Sequence, residues 1–298
     1  MKKSKYRRLL TVLPISFILF GCESGDETKD EADNLSEAVD YTFTGIEAGS
    51  GITELTLDMI NDYDNLEGWE VNKSSTAGMI TALDRAIENE EPIIVTGWSP
   101  HYIFAEHDLK ILDDPKNSLG EEETIKTIVR QGLEEDKPNA YEIMDRFSWD
   151  KEDMEEVMLE AQEIPFEEAA QNWVDENGDK VSEWTEGSET VDGEPFHLIS
   201  TPWDTERASS NVMAIVLEDL GYEVDITNVD PVVMFQAISE DEGDASLSPW
   251  LPTSFGAYYE QFEGQFEDLG PNMTGVSNGI VVPAYMDIDS VEDLKPRK

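Results

Sequence analysis

Residues 66–71, Leu-Glu-Gly-Trp-Glu-Val, and residues 219–224, Asp-Leu-Gly-Tyr-Glu-Val, carry one pattern: the end of a helix, a glycine stop and the start of a strand. Gly221 follows Gly68 by 153 positions. Trp250, closing the run Ala245-Ser246-Leu247-Ser248-Pro249-Trp250, follows Trp98, closing Ile93-Ile94-Val95-Thr96-Gly97-Trp98, by 152. Two nearly equal offsets mark an internal duplication. Outward from it, the extended stretch Tyr41 to Ile46 leads through Ala48-Gly49-Ser50-Gly51 into a helix with Ile52, Leu55, Met59 and Ile60 on one face. In the second half Phe196 to Ser200 leads through Trp203-Asp204-Thr205 into a helix bearing Val212, Ile215, Val216 and Leu220. Each half therefore reads β-α-β-α-β-Trp. The expected fold is α/β with two lobes, each built on a largely parallel sheet.

Between the halves three apolar stripes predict helices: Ile125, Ile128, Val129 and Leu133; Met154, Val157, Met158 and Ala161; and Phe166, Ala169, Ala170 and Trp173, the last starting after Pro165 and stopped by Asn177-Gly178. Methionine and tryptophan at helical spacing read as packing faces, so Trp149, Trp173 and Trp184 are assigned to the core.

The N-terminus has to be set aside before the fold is read. Lys2, Lys3, Lys5, Arg7 and Arg8 precede an apolar run from Leu9 to Phe20 that is too short to span a bilayer, which predicts an export signal. Leu19-Phe20-Gly21-Cys22 has the form of a bacterial lipoprotein cleavage site, and Cys22 is the single cysteine, expected to carry the lipid. More than one acyl chain there would give stable anchoring on the extracellular face. Residues 23–38 are acidic and lack aromatics, so 22–39 is expected to be a flexible tether. The predicted division is a signal peptide over 1–21, the tether over 22–39, a first lobe over 40–125 and a second over 126–279.

With 67 acidic against 20 basic residues the formal charge is −47. That excludes nucleic acid as a partner, because phosphates need a positive field. The acids are spread along the folded region, as expected for a surface adapted to high external salt, where counterions screen self-repulsion. His101, His107 and His197 show no metal-binding spacing, and the carboxylates fall in no hydrolase motif, so neither a metal, a cofactor nor a catalytic site is expected. An exported hydrolase and a passive surface lipoprotein are the rival readings.

Trp98, Trp203 and Trp250 stand apart from the other tryptophans. In open α/β sheets ligands bind beyond the carboxyl ends of strands, and these three sit there beside Pro100, Pro202, Pro249 and Pro252. Facing lobes would bring them to one cleft. A quaternary ammonium offers no N–H, so only its diffuse charge can be recognised, and indole faces do this best. Gly49-Ser50-Gly51-Ile52 opens a helix and aims free amides and the positive dipole end at one point, which suits a carboxylate. Together they suggest a zwitterion.

These residues resemble the glycine betaine binding lipoproteins of ABC transporters. The resemblance rests on GSGI at 49–52, PIIVTGWSPH at 92–101, LDDP at 112–115, PNA at 138–140, WD at 203–204, VLEDLGYEV at 216–224, DASLSPWLP at 244–252, MTGV at 273–276 and VVPAYM at 281–286. It implies a two-lobed Venus flytrap of the type II periplasmic binding protein kind, circularly permuted, with the C-terminal segment 280–298 crossing back to the first lobe. It implies a cage of Trp98, Trp203 and Trp250 around the trimethylammonium group, with the amides of Gly51 and Ile52 on the carboxylate. It also implies a monomeric receptor that hands its solute to a membrane permease. Choline, carnitine, proline betaine and a sulfonium such as dimethylsulfoniopropionate remain alternative ligands. Where relatives place a carboxylate-binding histidine this chain has Phe255, with Thr253, Ser254 or His101 as substitute donors.

Overall fold

The computed structural model describes residues 35–298, so the leader, Cys22 and most of the acidic segment lie outside the described residues. The first half runs β1 (Thr42–Thr44), α1 (Gly51–Asp62), β2 (Glu70–Asn72), α2 (Thr76–Asn89) and β3 (Val95–Ser99), followed by β4 (Leu109–Ile111) and β5 (Glu123–Arg130). A helical layer follows: α3 (Pro138–Arg146), α4 (Lys151–Glu160), α5 (Phe166–Glu176) and α6 (Gly178–Trp184). The second half runs β6 (Glu194–Ser200), α7 (Asp204–Asp219), β7 (Tyr222–Asn228), α8 (Pro231–Ser239), β8 (Ala245–Ser246), β9 (Trp250–Leu251), α9 (Gly256–Phe262) and β10 (Phe266–Pro283).

The strands follow the order β2-β1-β3-β10-β5-β8-β6-β7, with β4 also on β10 and β9 also on β5. Within the halves β1 pairs parallel with β2 and β3, and β6 parallel with β7 and β8. The sheets are nonetheless mixed rather than largely parallel, because β10 runs antiparallel to β3, β4 and β5, and β5 antiparallel to β8 and β9. Strand β10 joins the lobes: it pairs with β5 as far as Val276 and with β3 from Ser277 onward. Its register shifts beside Gly270, Pro271 and Gly275 let one strand serve both sheets, since each bulge adds a local bend.

Three expectations need correction. Ile125, Ile128 and Val129 belong to strand β5, not to a helix. Their spacing satisfies a helical period, but Thr124, Ile125, Thr127, Ile128 and Val129 are β-branched, and a strand paired on both sides buries residues on both faces. Next, the expected strand Ala245–Trp250 is split into β8 and β9 at Pro249, which has no N–H for the ladder but still accepts from the Lys126 amide at 2.9 Å. Lastly, the acidic tether ends before residue 39. Residues 35–38 form a helical turn whose Leu35 packs with Val39 against the first lobe's core, and the buried Ser36 hydroxyl accepts the Lys295 amide at 2.9 Å.

The described residues form two cores. Phe43, Met59, Leu66, Trp69 and Ile94 pack with Ile280, Val282, Met286, Ile288, Val291 and Leu294, so the C-terminal segment completes the first lobe. The larger core is shared between the lobes: it runs from Met79 and Leu83 of α2 and Val95 of β3 to β5, β6 and α7. It takes in Trp149, Trp173 and Trp184, with Trp173 5.6 Å from Trp149 and 5.9 Å from Trp184 by ring centroids.

Candidate functional site

Trp98 is the fourth residue of β3, held opposite Asn278 of β10 in the sheet register. Trp203 is the N-cap of α7, reached by the turn that leaves β6. Trp250 opens β9 opposite Ile125. Trp98 and Trp250 lie within their strands rather than just beyond them, which fixes their backbones in ladders. All three side chains line one cavity, together with Phe255, Ile46 and Ile52. Phe255 lies 6.3 Å from Trp203 by ring centroids, tilted 36°, so the cavity has four aromatic walls. About 40 Å³ is left in which the centre of a water molecule can move.

The other wall is the start of α1. The Ser50 hydroxyl is engaged with the Glu47 carbonyl at 2.9 Å and the Thr53 hydroxyl at 2.8 Å, and so does not cap the helix. Among the described residues the amides of Gly51 and Ile52 have no acceptor, and both residues line the cavity. Two unsatisfied N–H groups at a helix N-terminus are donors of the kind that suit an anion.

The lobes meet around this space. Gly51 lies so close to the Ser254 backbone that a Cβ there would be 2.7 Å from the Ser254 oxygen. The Trp203 indole N–H crosses the cleft to donate to Glu47 Oε2 at 3.3 Å. Glu47 also accepts from the Thr76 amide at 2.9 Å and hydroxyl at 2.8 Å. Burial pushes its carboxyl up, but these donors outweigh burial and hold it below the usual carboxylate value.

Three polar residues at the site were not singled out in the sequence. Glu206, fully buried, lines the cavity; its Oε1 accepts from the Trp250 indole at 2.6 Å and its Oε2 from the Thr205 hydroxyl at 2.7 Å. Burial raises its pKa to about 7, even though both hydrogen bonds favour the ionised form. Asn278 lines the cavity and donates to Glu123 Oε2 at 3.0 Å and to the Ser254 hydroxyl at 2.8 Å. Glu123, also buried, accepts from the amides of Thr253 and Ser254 at 2.7 and 2.8 Å and from the Ser254 hydroxyl at 2.5 Å. It thereby clamps the turn that carries Phe255 and Ser254 to the point where β5 and β10 join the lobes.

Of the substitute donors, Ser254 lines the cavity and Thr253 does not. His101 is not in the wall either. It packs edge-on behind Trp98 at 4.7 Å, its Nδ1 accepts from the Ile103 amide at 3.3 Å, and burial drives its pKa down to about 3, so the ring is neutral. Its place supports the Trp98 loop.

The profile of a family described as the substrate binding domain of ABC-type glycine betaine transport systems matches residues 21–176 and 195–298. The chain is 44% identical, over 98% of its length and 99% of the relative's, to the glycine betaine/carnitine transport binding protein GbuC of Listeria monocytogenes serotype 1/2a (strain 10403S). Among solved structures it is similar to lactococcal OpuAC in its closed, liganded conformation with glycine betaine, at 44% identity and a TM-score of 0.48. That match covers 49% of this chain and 58% of the other. It is also similar to an ABC-transporter choline binding protein in complex with choline, at 26% identity and a TM-score of 0.48, covering 65% of this chain and 63% of the other. Both structural matches span less than two thirds of the solved chain.

Proposed function

This chain belongs to the family of substrate-binding domains of ABC-type glycine betaine transport systems, and we propose that it captures glycine betaine in the cavity between its lobes. The observation that carries the reading is the convergence of Trp98, Trp203, Trp250 and Phe255 opposite the free amides of Gly51 and Ile52. Three indole faces contribute about 0.5–2 kcal/mol each towards a trimethylammonium group, and more when dry. The helix N-terminus takes the carboxylate at the other end.

Capture proceeds by closure. The solute docks while the lobes are apart, the lobes then turn about β5 and β10, and Trp203 reaches Glu47 only in the closed form, which the permease reads. The protein performs no chemistry on its solute and acts as a monomer. Cys22 carries the lipid that holds it on the extracellular face of the cell membrane, a reading supported by the basic and apolar runs that precede it. Its acidic surface suits a cell under osmotic stress.

A second reading, choline or another onium without a carboxylate, is favoured by one observation: no cationic side chain lines the cavity among the described residues. Calorimetric titration with glycine betaine, choline, carnitine and dimethylsulfoniopropionate, with glycine as control, separates the two. Tightest binding of glycine betaine supports the first reading, and choline binding more tightly than betaine replaces it with the second.

A further inference from the structure

The cavity wall contains one ionisable side chain among the described residues, Glu206, and it has no cationic partner. Its two hydrogen bonds come from neutral donors, the Trp250 indole and the Thr205 hydroxyl, one on each oxygen. The other ionisable groups around the site are committed elsewhere: Asp204 to Arg207 at 3.4 Å, Glu47 to Thr76, Glu123 to the 253–254 turn, and His101 neutral behind Trp98. A buried carboxyl without a counter-charge is costly, and a chain that needed only to hold an indole could use a neutral acceptor. Its position in the wall identifies the missing counter-charge as the ligand's own.

Building on the onium-binding reading above, we propose that Glu206 is the charge-selecting residue of the cage: ionised when the site is filled, it balances a quaternary onium head and rejects uncharged heads of the same shape. The geometry suits this role. An onium with no N–H cannot use the carboxylate's lone pairs; each oxygen here accepts one hydrogen bond, from Trp250 and from Thr205, and its charge acts on the cation through space. The carboxylate also draws on the Trp250 N–H, which enriches the ring face that meets the cation. In the closed site burial pushes the carboxyl up to about 7, and a cation seated in the cage opposes that push and favours the ionised form.

The test compares glycine betaine with 3,3-dimethylbutanoate, which replaces the trimethylammonium head by an uncharged tert-butyl group of the same shape. Wild type is expected to prefer betaine, and Glu206→Gln, which keeps an acceptor for Trp250, to lose betaine affinity by roughly ten- to a hundredfold while the carbon analogue binds no worse. Betaine binding with an unchanged preference in Glu206→Gln overturns the proposal and leaves the cage reading standing; failure of wild type to bind betaine, choline and dimethylsulfoniopropionate alike overturns both, and if choline alone binds, 3,3-dimethylbutan-1-ol serves as its carbon analogue in the same comparison. A measurement on wild type alone guards against a variant that misfolds. Betaine titrated at pH 6 in two buffers of different ionisation heat is expected to release protons, against none for the carbon analogue. Betaine binding without proton release overturns the proposal.

Discussion

Gly51→Ala separates the closed receptor from the folded one. Gly51 is the first residue of α1 and does not occupy the left-handed region, so alanine fits the helix without strain and is a better helix former. Its new Cβ, however, would lie 2.7 Å from the Ser254 oxygen, 2.9 Å from its Cα and 2.9 Å from its Cβ. Two of these are backbone atoms, held in place because Glu123 accepts the amides of Thr253 and Ser254, so no side-chain rotation relieves the contact. Overpacking of this kind costs about 1–3 kcal/mol, and it falls only on the closed form, because Ser254 belongs to the opposite lobe. Betaine affinity is therefore expected to drop by roughly five- to a hundredfold at about 1.4 kcal/mol per decade. The thermal midpoint of the ligand-free protein should stay the same or rise slightly. Paired calorimetric and thermal-unfolding measurements decide it. Unchanged affinity with unchanged stability would refute the claim that lobe closure on Ser254 is coupled to binding.

Phe255→His should strengthen betaine relative to choline by about tenfold, as one charge-assisted hydrogen bond to the carboxylate is restored; equal effects on both solutes, read by competition titration, would count against this. Glu206 has a raised folded-state pKa, about 7 against an ordinary 4.5, so the folded protein holds the extra proton between those values. Stability should consequently fall as pH rises from 4.5 to 7, by about 3 kcal/mol, in the difference between wild type and Glu206→Gln measured by urea unfolding without ligand. A flat difference would show that burial does not perturb this carboxyl. Glu123→Ala leaves the Thr253 and Ser254 amides without their acceptor and should lower unfolding free energy by about 3 kcal/mol; a loss below about 0.5 kcal/mol would mean the clamp on the turn is incidental.

Much of the frame was legible because it rests on local signals. Glycine stops at Gly68 and Gly221 and apolar runs before Trp98 and Trp250 mark β-α-β units whatever surrounds them. The joining strands were not. Strand β5 satisfies both a helical and an extended period, and only its partners decide between them. Strand β10 carries Gly270, Pro271, Gly275 and Gly279, which read as breakers until pairing with both sheets shows them to be bulges and close approaches. The same division holds at the site. Trp98, Trp203, Trp250, Gly51 and Ile52 stood out by residue type and position, and the structure brings them to one cavity. Glu206 did not, as one acid among 67. Nothing local marks it: Arg207 and Asn211 give α7 a partly exposed polar face beside it, and only the packing of the helix turns Glu206 inward.

The central claim, that the aromatic walls close on an onium osmolyte, is tested most directly by tryptophan fluorescence of the protein titrated with glycine betaine, in wild type and in Trp203→Ala. The account predicts a saturable change in wild type, none with glycine, and loss of the response in the variant. A wild-type titration that stays flat with glycine betaine, choline and dimethylsulfoniopropionate alike would contradict it.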